Sequence, residues 1–307
     1  MLQIKFNQTL FDTHIKEISK SIKKKIENKL KNKLGSKEKV CLEYTRDNLE
    51  NILKADNNEM LKIINYFKIN FSNAIGKSNL KEKNWKRIYK ILRKDIFEKE
   101  YDNWCNRKIY GAYTFVDKLG LKTCPYCNRN YTFVINEDSG KLRAEIDHFY
   151  PKAIYPFLAM SFYNLIPSCP TCNHTKKDKV NLDLINPYET KKNDFKLTYI
   201  PNDINFSNIE KEKYDYEDFE IKFIKNNPNI EIFKLDELYK QHKDIVLDLL
   251  IKKVYYPKSY IEELSGFGFS EEEIYRYLLS NYKKDEDLHK RPLSKLIKDI
   301  SDELGIN

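Results

Sequence analysis

Two C-x-x-C pairs constrain the fold of this chain more than any other feature of its sequence. Cys124 and Cys127 form the first pair, in C-P-Y-C, and Cys169 and Cys172 form the second, in C-P-T-C, after 41 intervening residues. Four thiolates on two tight turns are a ligand set for tetrahedral structural zinc. Because the interval exceeds an ordinary zinc-finger spacing, a folded segment must lie between the pairs.

Two other interpretations of these cysteines stay open, a thioredoxin-like redox pair and unligated buried thiols. A single pair would fit either of them, whereas two pairs around one segment favour structural zinc. Since cysteine would fill all four positions, this zinc would have no open coordination position for catalysis. Cys41 and Cys105 stand alone in the sequence, and we interpret them as small buried hydrophobic residues.

The periodicity of apolar residues predicts an α+β protein in which a small metal module lies between helical and mixed regions. We divide the chain into a helical basic region (1–120), the metal module (121–190) and a mixed strand and helix region (191–307). Helices are predicted at 12–34, 48–71, 80–99, 236–253, 270–282 and 292–304. Strands are predicted at 131–135 and 142–146, as a hairpin turning through 136–140, and at 165–167, 195–200, 219–225 and 230–234.

The sequence predicts neither a membrane span nor a secretory signal. No apolar run approaches the ~18 residues that a transmembrane helix needs. The first residues, MLQIKFNQTLFDTHIKE, carry charges where a signal peptide would place an apolar stretch. We therefore expect a cytoplasmic protein that has no membrane partner.

Positive charge is concentrated in the first region. Residues 1–120 hold 27 basic and 15 acidic side chains, a surplus of 12, whereas residues 191–307 hold 20 basic and 24 acidic ones. A basic surplus of this kind fits a polyphosphate partner such as nucleic acid. Lysines on solvated helix faces would explain the same composition.

The segment around the cysteine pairs holds residues suited to phosphodiester hydrolysis. Asp147 and His148 lie in E-I-D-H-F-Y-P-K, Asn164 precedes Leu165, and Asn173 directly follows the last cysteine. Such hydrolysis needs a base near neutral pH, for which histidine is suited, and a divalent ion, for which Asp and Asn offer oxygen ligands. An isolated D-H dipeptide is more often a buried hydrogen-bonded pair, and a lone Asn is often a turn residue.

In combination, these residues resemble the motif of the HNH endonuclease family, which runs C-x-x-C, D-H-x-x-P, N-L and C-x-x-C-N-x-x-K. The counterparts here are Cys124/Cys127, Asp147-His148 with Pro151, Asn164-Leu165, and Cys169/Cys172-Asn173 with Lys176. The match covers residues 123–179. It departs from many members in lacking a Gly-Gly between the D-H and N-L elements, where residues 154–163 place aromatics and a proline in the loop that would face DNA.

The resemblance implies a ββα-metal unit and a role for each matching residue. It implies that His148 acts as general base and that Asp147 and Asn173 hold one catalytic Mg²⁺ or Mn²⁺. It further implies that Asn164 tethers the long loop and helps to orient His148, and that Lys176 contacts a phosphate. Solvent exposure is the alternative for Lys176.

Two further residues lie near the motif. Arg129, two residues after the first cysteine pair, is a candidate for a further phosphate contact, and His174 either faces outward or replaces or supplements Asn173 at the ion.

The chain also looks like the HNH subunits of bacterial anti-phage systems, such as the Septu-type nuclease encoded with an ATPase. This likeness implies a DNA endonuclease that acts as a defence effector with an ATPase partner. Two other functions stay open, a non-catalytic zinc module that binds nucleic acid or protein, and an HNH nuclease that acts on RNA.

Overall fold

Helices dominate the part of the chain that the structure, a computed structural model, describes, namely residues 1–77, 81, 83, 86–137, 140–202 and 218–306. Within these residues the strands form three two-stranded antiparallel sheets. The predicted α+β class is confirmed. None of the described helices has the length and apolar character that crossing a bilayer demands.

The chain divides into two units by its backbone contacts. Unit 1 comprises Met1–Ile4, Leu121–Thr132 and Asp183–Asn307, and unit 2 comprises Lys5–Gly120 and Phe133–Leu182. The predicted segments 1–120, 121–190 and 191–307 follow sequence character rather than contacts, and that three-part division stays a prediction.

Unit 2 begins with four helices. Apolar residues at three- and four-residue spacing form the buried side of the first of them, with Ile18, Ile22 and Ile26 fully buried. The side chain of Asn7 accepts a hydrogen bond from the Leu10 backbone N–H and so starts that helix four residues before the predicted position. The helices are α1 (Gln8–Leu30), α2 (Ser36–Asp47), α3 (Leu49–Lys54) and α4 (Asn57–Asn70).

The single helix predicted over 48–71 is wrong, because the chain breaks between α3 and α4. Asp56 caps α4, where its carboxylate accepts from the Glu59 N–H at 2.9 Å and the Glu59 carboxylate accepts from the Asp56 N–H at 3.1 Å. This reciprocal pair satisfies the free N–H groups of a new helix start, which competes with continuation of the preceding helix.

The next helical stretch of unit 2 contains a π-helical segment. It consists of α5 (Arg87–Lys90), the π segment Ile91–Phe97 and α6 (Glu98–Cys105), and α7 (Ala112–Leu119) follows. The helix predicted over 80–99 is confirmed from residue 87 onward and continues beyond its predicted end. Residues 80, 82, 84 and 85 of that prediction lie outside the described residues.

A buried histidine of α1 helps to hold the core of unit 2. His14 Nε2 lies 2.8 Å from the Met160 carbonyl oxygen, and Nδ1 lies 2.8 Å from the Tyr110 hydroxyl. Since a carbonyl can only accept, Nε2 donates and Nδ1 accepts from Tyr110. Burial lowers the pKa of His14 to about 4, so the ring is neutral at physiological pH.

The antiparallel pairing predicted across residues 136–140 is confirmed at Ile135 and Leu142, but the strands cover other residues than predicted. β1 (Ile135–Glu137) pairs with β2 (Gly140–Leu142), while β3 (Glu145–His148) pairs with β4 (Leu165–Ser168). The predicted strand 142–146 is therefore split between two sheets, and residues 138 and 139 of the predicted turn lie outside the described part of the chain. Every residue of β4 is buried, so β3 gains a buried partner that the exposed β2 cannot offer.

Unit 1 contains one sheet and several helices in the residues that the structure describes. β5 (Leu197–Pro201) pairs with β6 (Phe219–Phe223), close to the predicted strands. The strand predicted over 230–234 is wrong: Asn227 accepts hydrogen bonds from two backbone N–H groups, and Pro228 opens a helix. The helices are α9 (Pro228–Ile232), α10 (Leu235–Tyr239), α11 (Lys243–Tyr255), α12 (Lys258–Gly266), α13 (Glu271–Leu279) and α14 (Ser294–Leu304).

Candidate functional site

Asp147, His148, Asn164 and Asn173 all lie on or next to two strands and a helix of unit 2. β3 and β4 are antiparallel, with His148 opposite Leu165 at the end of β3, and α8 (Pro170–Lys176) follows β4 directly. Proline suits the first turn of a helix because the N–H that it lacks would have no partner there. The order is therefore strand, strand, helix, with a long loop between the strands.

His148 is held by its Nε2 atom. This atom lies 3.0 Å from the backbone carbonyl oxygen of Ala159, which belongs to the long loop, and the Tyr101 ring packs against the imidazole with a centroid distance of 4.8 Å. Since the carbonyl can only accept, Nε2 carries the proton and Nδ1 keeps its lone pair. The His148 residue is only 7% exposed.

The free nitrogen of His148 is not sealed inside the protein. Nδ1 accepts no hydrogen bond from any residue that the structure describes, and it is not among the side-chain atoms that are both fully buried and unpaired. Burial, and then the positive charges of Lys152 and Lys176, lower the pKa of His148 well below its usual value. The imidazole is therefore a neutral base with one available nitrogen.

Asn164 fastens the long loop through all of its side-chain functions. Its Oδ1 accepts from the Tyr150 N–H at 2.6 Å, and its Nδ2 donates to the carbonyl oxygens of Tyr150 and Leu158. Leu158 precedes Ala159, the residue that holds His148. The structure therefore places Asn164 where it fixes the loop around the imidazole, and its functional role stays a proposal.

Asp147 and Lys176 form a buried ion pair. The Lys176 ammonium lies 3.0 Å from each carboxylate oxygen of Asp147 and donates to the backbone carbonyl of His148 at 2.8 Å. The Lys176 side chain is 0% exposed and that of Asp147 is 4% exposed. The sequence predicted a phosphate contact for Lys176, but the carboxylate opposite it on β3 draws the ammonium inward, and a phosphate contact would require it to leave both partners.

Asn173 and His174 contact a different carboxylate. Asn173 Nδ2 donates to Glu145 Oε2 at 2.7 Å, and His174 Nε2 lies 3.6 Å from the same oxygen. Glu145 is the first residue of β3, two positions before Asp147, so both carboxylates lie on the same side of the strand. Sequence reasoning missed Glu145, although its two-residue spacing from Asp147 was the signal that could have found it.

The predicted cation ligands Asp147 and Asn173 do not form an open cation site as the structure has them. The Asp147 carboxylate is buried against an ammonium group, and the Asn173 amide is hydrogen-bonded to Glu145. A divalent cation at Asp147 would have to displace Lys176 or be buried next to its positive charge, which is costly in a low-dielectric interior.

Cys124, Cys127, Cys169 and Cys172 form a buried group that can hold a metal ion, since their four Sγ atoms all lie within 4.8 Å of one another. Tetrahedral zinc with Zn–S bonds of about 2.3 Å places its sulfur atoms about 3.8 Å apart, which this spacing accommodates. The Arg129 backbone N–H also points to Cys127 Sγ at 3.4 Å. The donor set therefore fits a zinc ion in a site without an open position.

The Arg129 guanidinium has a hydrogen-bond partner within unit 1. It is half-buried, and its Nε donates to His242 Nε2 at 2.8 Å within unit 1. The motif alone did not indicate this partner, because His242 lies more than a hundred residues away in the sequence. A phosphate contact by Arg129 stays a prediction.

Two curated proteins are similar to part of this chain. Protein ea31 of Escherichia phage lambda is 35% identical over 92 residues, which cover 29% of this chain and 28% of that protein. Septu protein PtuB of Bacillus thuringiensis is 36% identical over 83 residues, which cover 26% of this chain and 30% of PtuB. The chain thus matches less than a third of the length of each relative. No protein-family model matches, and no solved structure matches significantly.

Proposed function

We propose that this chain is a metal-dependent HNH-type endonuclease that hydrolyses phosphodiester bonds of DNA. The observation that carries the proposal is the arrangement of His148, in which Nε2 is tied to the Ala159 carbonyl and Nδ1 is left available. The bond at Nε2 fixes the tautomer, and the Tyr101 ring fixes the orientation. The resemblance in sequence implies a base of this kind at this position, at the end of β3 and next to α8.

The chemistry assigned to His148 is removal of a proton from water. A water molecule hydrogen-bonded to Nδ1 passes its proton to the ring while its oxygen forms a bond to phosphorus. The bond from phosphorus to the leaving sugar oxygen breaks, and that oxygen takes a proton from solvent. Because the lowered pKa keeps the ring unprotonated at neutral pH, the base is ready before the substrate binds.

The proposal includes two metals with separate functions. Zinc held by the four cysteines is structural. A catalytic Mg²⁺ or Mn²⁺, when bound, neutralises charge on the phosphate and the leaving oxygen. No step of the proton transfer above depends on the position of that ion.

The biological part of the proposal is a role in anti-phage defence together with an ATPase partner. Its support is the partial similarity to Septu protein PtuB, together with the likeness of the motif to the HNH subunits of Septu-type systems. The basic surplus of residues 1–120 also supports a nucleic-acid substrate.

The deciding experiment compares wild type with His148→Asn on plasmid DNA and structured RNA, with Mg²⁺, with Mn²⁺ and with chelator. Asparagine can still donate to the Ala159 carbonyl but cannot act as a base. We expect cation-dependent DNA cleavage by wild type and a loss of about 10²–10⁴-fold in the variant, since general bases contribute on that order.

Zinc content and thermal unfolding serve as controls, and both should match between the two proteins. Undiminished cleavage by His148→Asn would remove His148 as the base. Cleavage of RNA alone would reassign the substrate. Salt-sensitive binding without cleavage of either nucleic acid would instead support a non-catalytic binding module.

A further inference from the structure

Of the two carboxylates on β3, that of Glu145 is exposed to solvent and that of Asp147 is buried. The Glu145 side chain is 37% exposed, whereas Asp147 is 4% exposed. Both lie on the same side of β3, so either could face a cation beside α8. Only one of them is free of a buried ammonium group.

Asp147 is already neutralised within the protein. Lys176 contacts both of its oxygens and has no exposed side-chain surface, so the pair is closed to solvent. Removing the ammonium would leave a buried carboxylate, and keeping it would place a divalent cation next to a buried positive charge. Both arrangements carry a large desolvation or repulsion cost.

Two potential ligand groups of different types lie next to the Glu145 carboxylate. Asn173 lies 2.7 Å away through its amide, and His174 lies 3.6 Å away through Nε2 with a side chain that is 70% exposed. A carboxylate, an amide oxygen and an imidazole suit Mn²⁺ and similar divalent ions, because imidazole is a poorer ligand for Mg²⁺.

The Asn173 amide can serve this group in either orientation. In the structure its Nδ2 donates to Glu145, and its Oδ1 accepts no hydrogen bond from the residues described. Rotation of the amide by half a turn exchanges the two atoms at nearly unchanged shape. The amide therefore holds the carboxylate when no cation is bound and can offer its oxygen when one is.

We propose that Glu145, with Asn173 and His174, binds a divalent cation of the Mn²⁺ type, and that Asp147 instead pairs with Lys176 to hold β3 against α8. The role of this cation in phosphodiester hydrolysis rests on the proposed nuclease function, whereas the binding itself does not. Glu145 is the residue of this group that the sequence motif does not assign.

The test is Mn²⁺ binding to the zinc-loaded full-length protein, measured from the loss of the free Mn²⁺ electron paramagnetic resonance signal. Wild type is compared with Glu145→Gln, Asp147→Asn and the control Glu137→Gln, which removes the same charge from an exposed strand residue. We expect at least tenfold weaker binding for Glu145→Gln and less than a threefold change for the other two variants.

His174→Ala provides a second variant, and since its side chain is exposed we expect it to fold and to weaken Mn²⁺ binding severalfold. Thermal unfolding of every variant checks that folding is retained. The proposal is overturned if Glu145→Gln binds Mn²⁺ as wild type does, if Asp147→Asn alone loses binding, or if wild type binds no Mn²⁺.

Cleavage assays on the same proteins separate this proposal from the nuclease proposal. Mn²⁺ binding that depends on Glu145, in a protein that cleaves no nucleic acid, would support the cation site and contradict the nuclease function. Cleavage by a Glu145→Gln protein that binds Mn²⁺ normally would support the nuclease function and contradict the cation site.

Discussion

The Lys176 ammonium is buried between the Asp147 carboxylate and the His148 backbone carbonyl. The resemblance in sequence implied a phosphate contact for this side chain, which would require the ammonium to leave both partners. An ammonium can be buried at acceptable cost only where its hydrogen atoms meet acceptors, and here it meets three. Lys176 thereby joins α8 to the strand that carries the candidate base.

From the lowered pKa of His14 we predict how the stability of the protein depends on pH. Its pKa is lowered to about 4 in the folded chain, against an ordinary value of about 6.5 in the unfolded chain. The unfolded state therefore binds more protons between these values, so the contribution of His14 is complete above pH 6.5 and declines as the pH falls toward 4. At about 1.4 kcal/mol for each pH unit, the loss at pH 5 is on the order of 2 kcal/mol.

The measurement is urea unfolding of wild type and of His14→Gln at pH 7.5 and pH 5. Glutamine can still hydrogen-bond but does not titrate. Between pH 7.5 and pH 5, the free energy of unfolding of the variant should therefore fall by about 2 kcal/mol less than that of wild type. All other titrating groups are common to both proteins. Parallel losses in the two proteins would show that His14 titrates normally in the folded state.

At the scale of elements, the start of α4 depends on one side chain. Asp56→Ala removes the carboxylate that caps the helix and leaves the Glu59 N–H without its acceptor. Loss of such a cap costs about 1 kcal/mol of unfolding free energy. Urea unfolding should detect this loss, whereas Glu17→Ala, an exposed position within α1, should change the free energy by less than about 0.5 kcal/mol. Equal effects of both substitutions would contradict the capping role.

The elements that could be predicted from sequence are those whose local signals agree with their packing. The isoleucine spacing of α1 describes a helix that also buries that side, and β6 buries alternate residues as a half-buried strand does. The 230–234 prediction failed because a capping Asn227 and a helix-opening Pro228 outweigh a run that looked like a strand. The outer part of the predicted hairpin was wrong, since residues 145 and 146 pair with β4, because strand partners are chosen by burial, which alternation does not reveal.

The residues of the candidate site could be predicted only where their spacing along the sequence matches a motif of known chemistry. The cysteine pairs, Asp147-His148 and Asn164 could be found in this way: the four sulfur atoms form one group, and Asp147, His148 and Asn164 lie on or next to β3 and β4. The contacts of His148 with Ala159 and Tyr101 could not, because they join distant parts of the sequence. Which of two nearby carboxylates faces solvent is likewise decided by the fold.

Across the whole molecule, the basic surplus and the four-cysteine group lie in different parts of the sequence. If the proposed function is right, the basic surplus of residues 1–120 attracts a polyphosphate over a long range, and this attraction weakens as the salt concentration rises. The four-cysteine group is a short-range constraint that holds only in the folded chain. Salt concentration should therefore affect nucleic-acid binding, while chelation of zinc should affect stability.

Zinc removal is expected to destabilise the protein by mass action. An ion that binds the folded but not the unfolded chain raises the free energy of unfolding. The increase is about 2.7 kcal/mol at an ion concentration 100 times the Kd and about 4.1 kcal/mol at 1,000 times the Kd. For a chain of this size that corresponds to a loss of roughly 4–6 °C in Tm on chelation. Elemental analysis should find one zinc ion per wild-type chain and none in Cys172→Ser, whose Tm should match that of the chelated protein. The matched control is Cys105→Ser, a cysteine outside the group, which should keep both its zinc and its Tm. Stoichiometric zinc in Cys172→Ser would mean that the four sulfur atoms do not hold the ion.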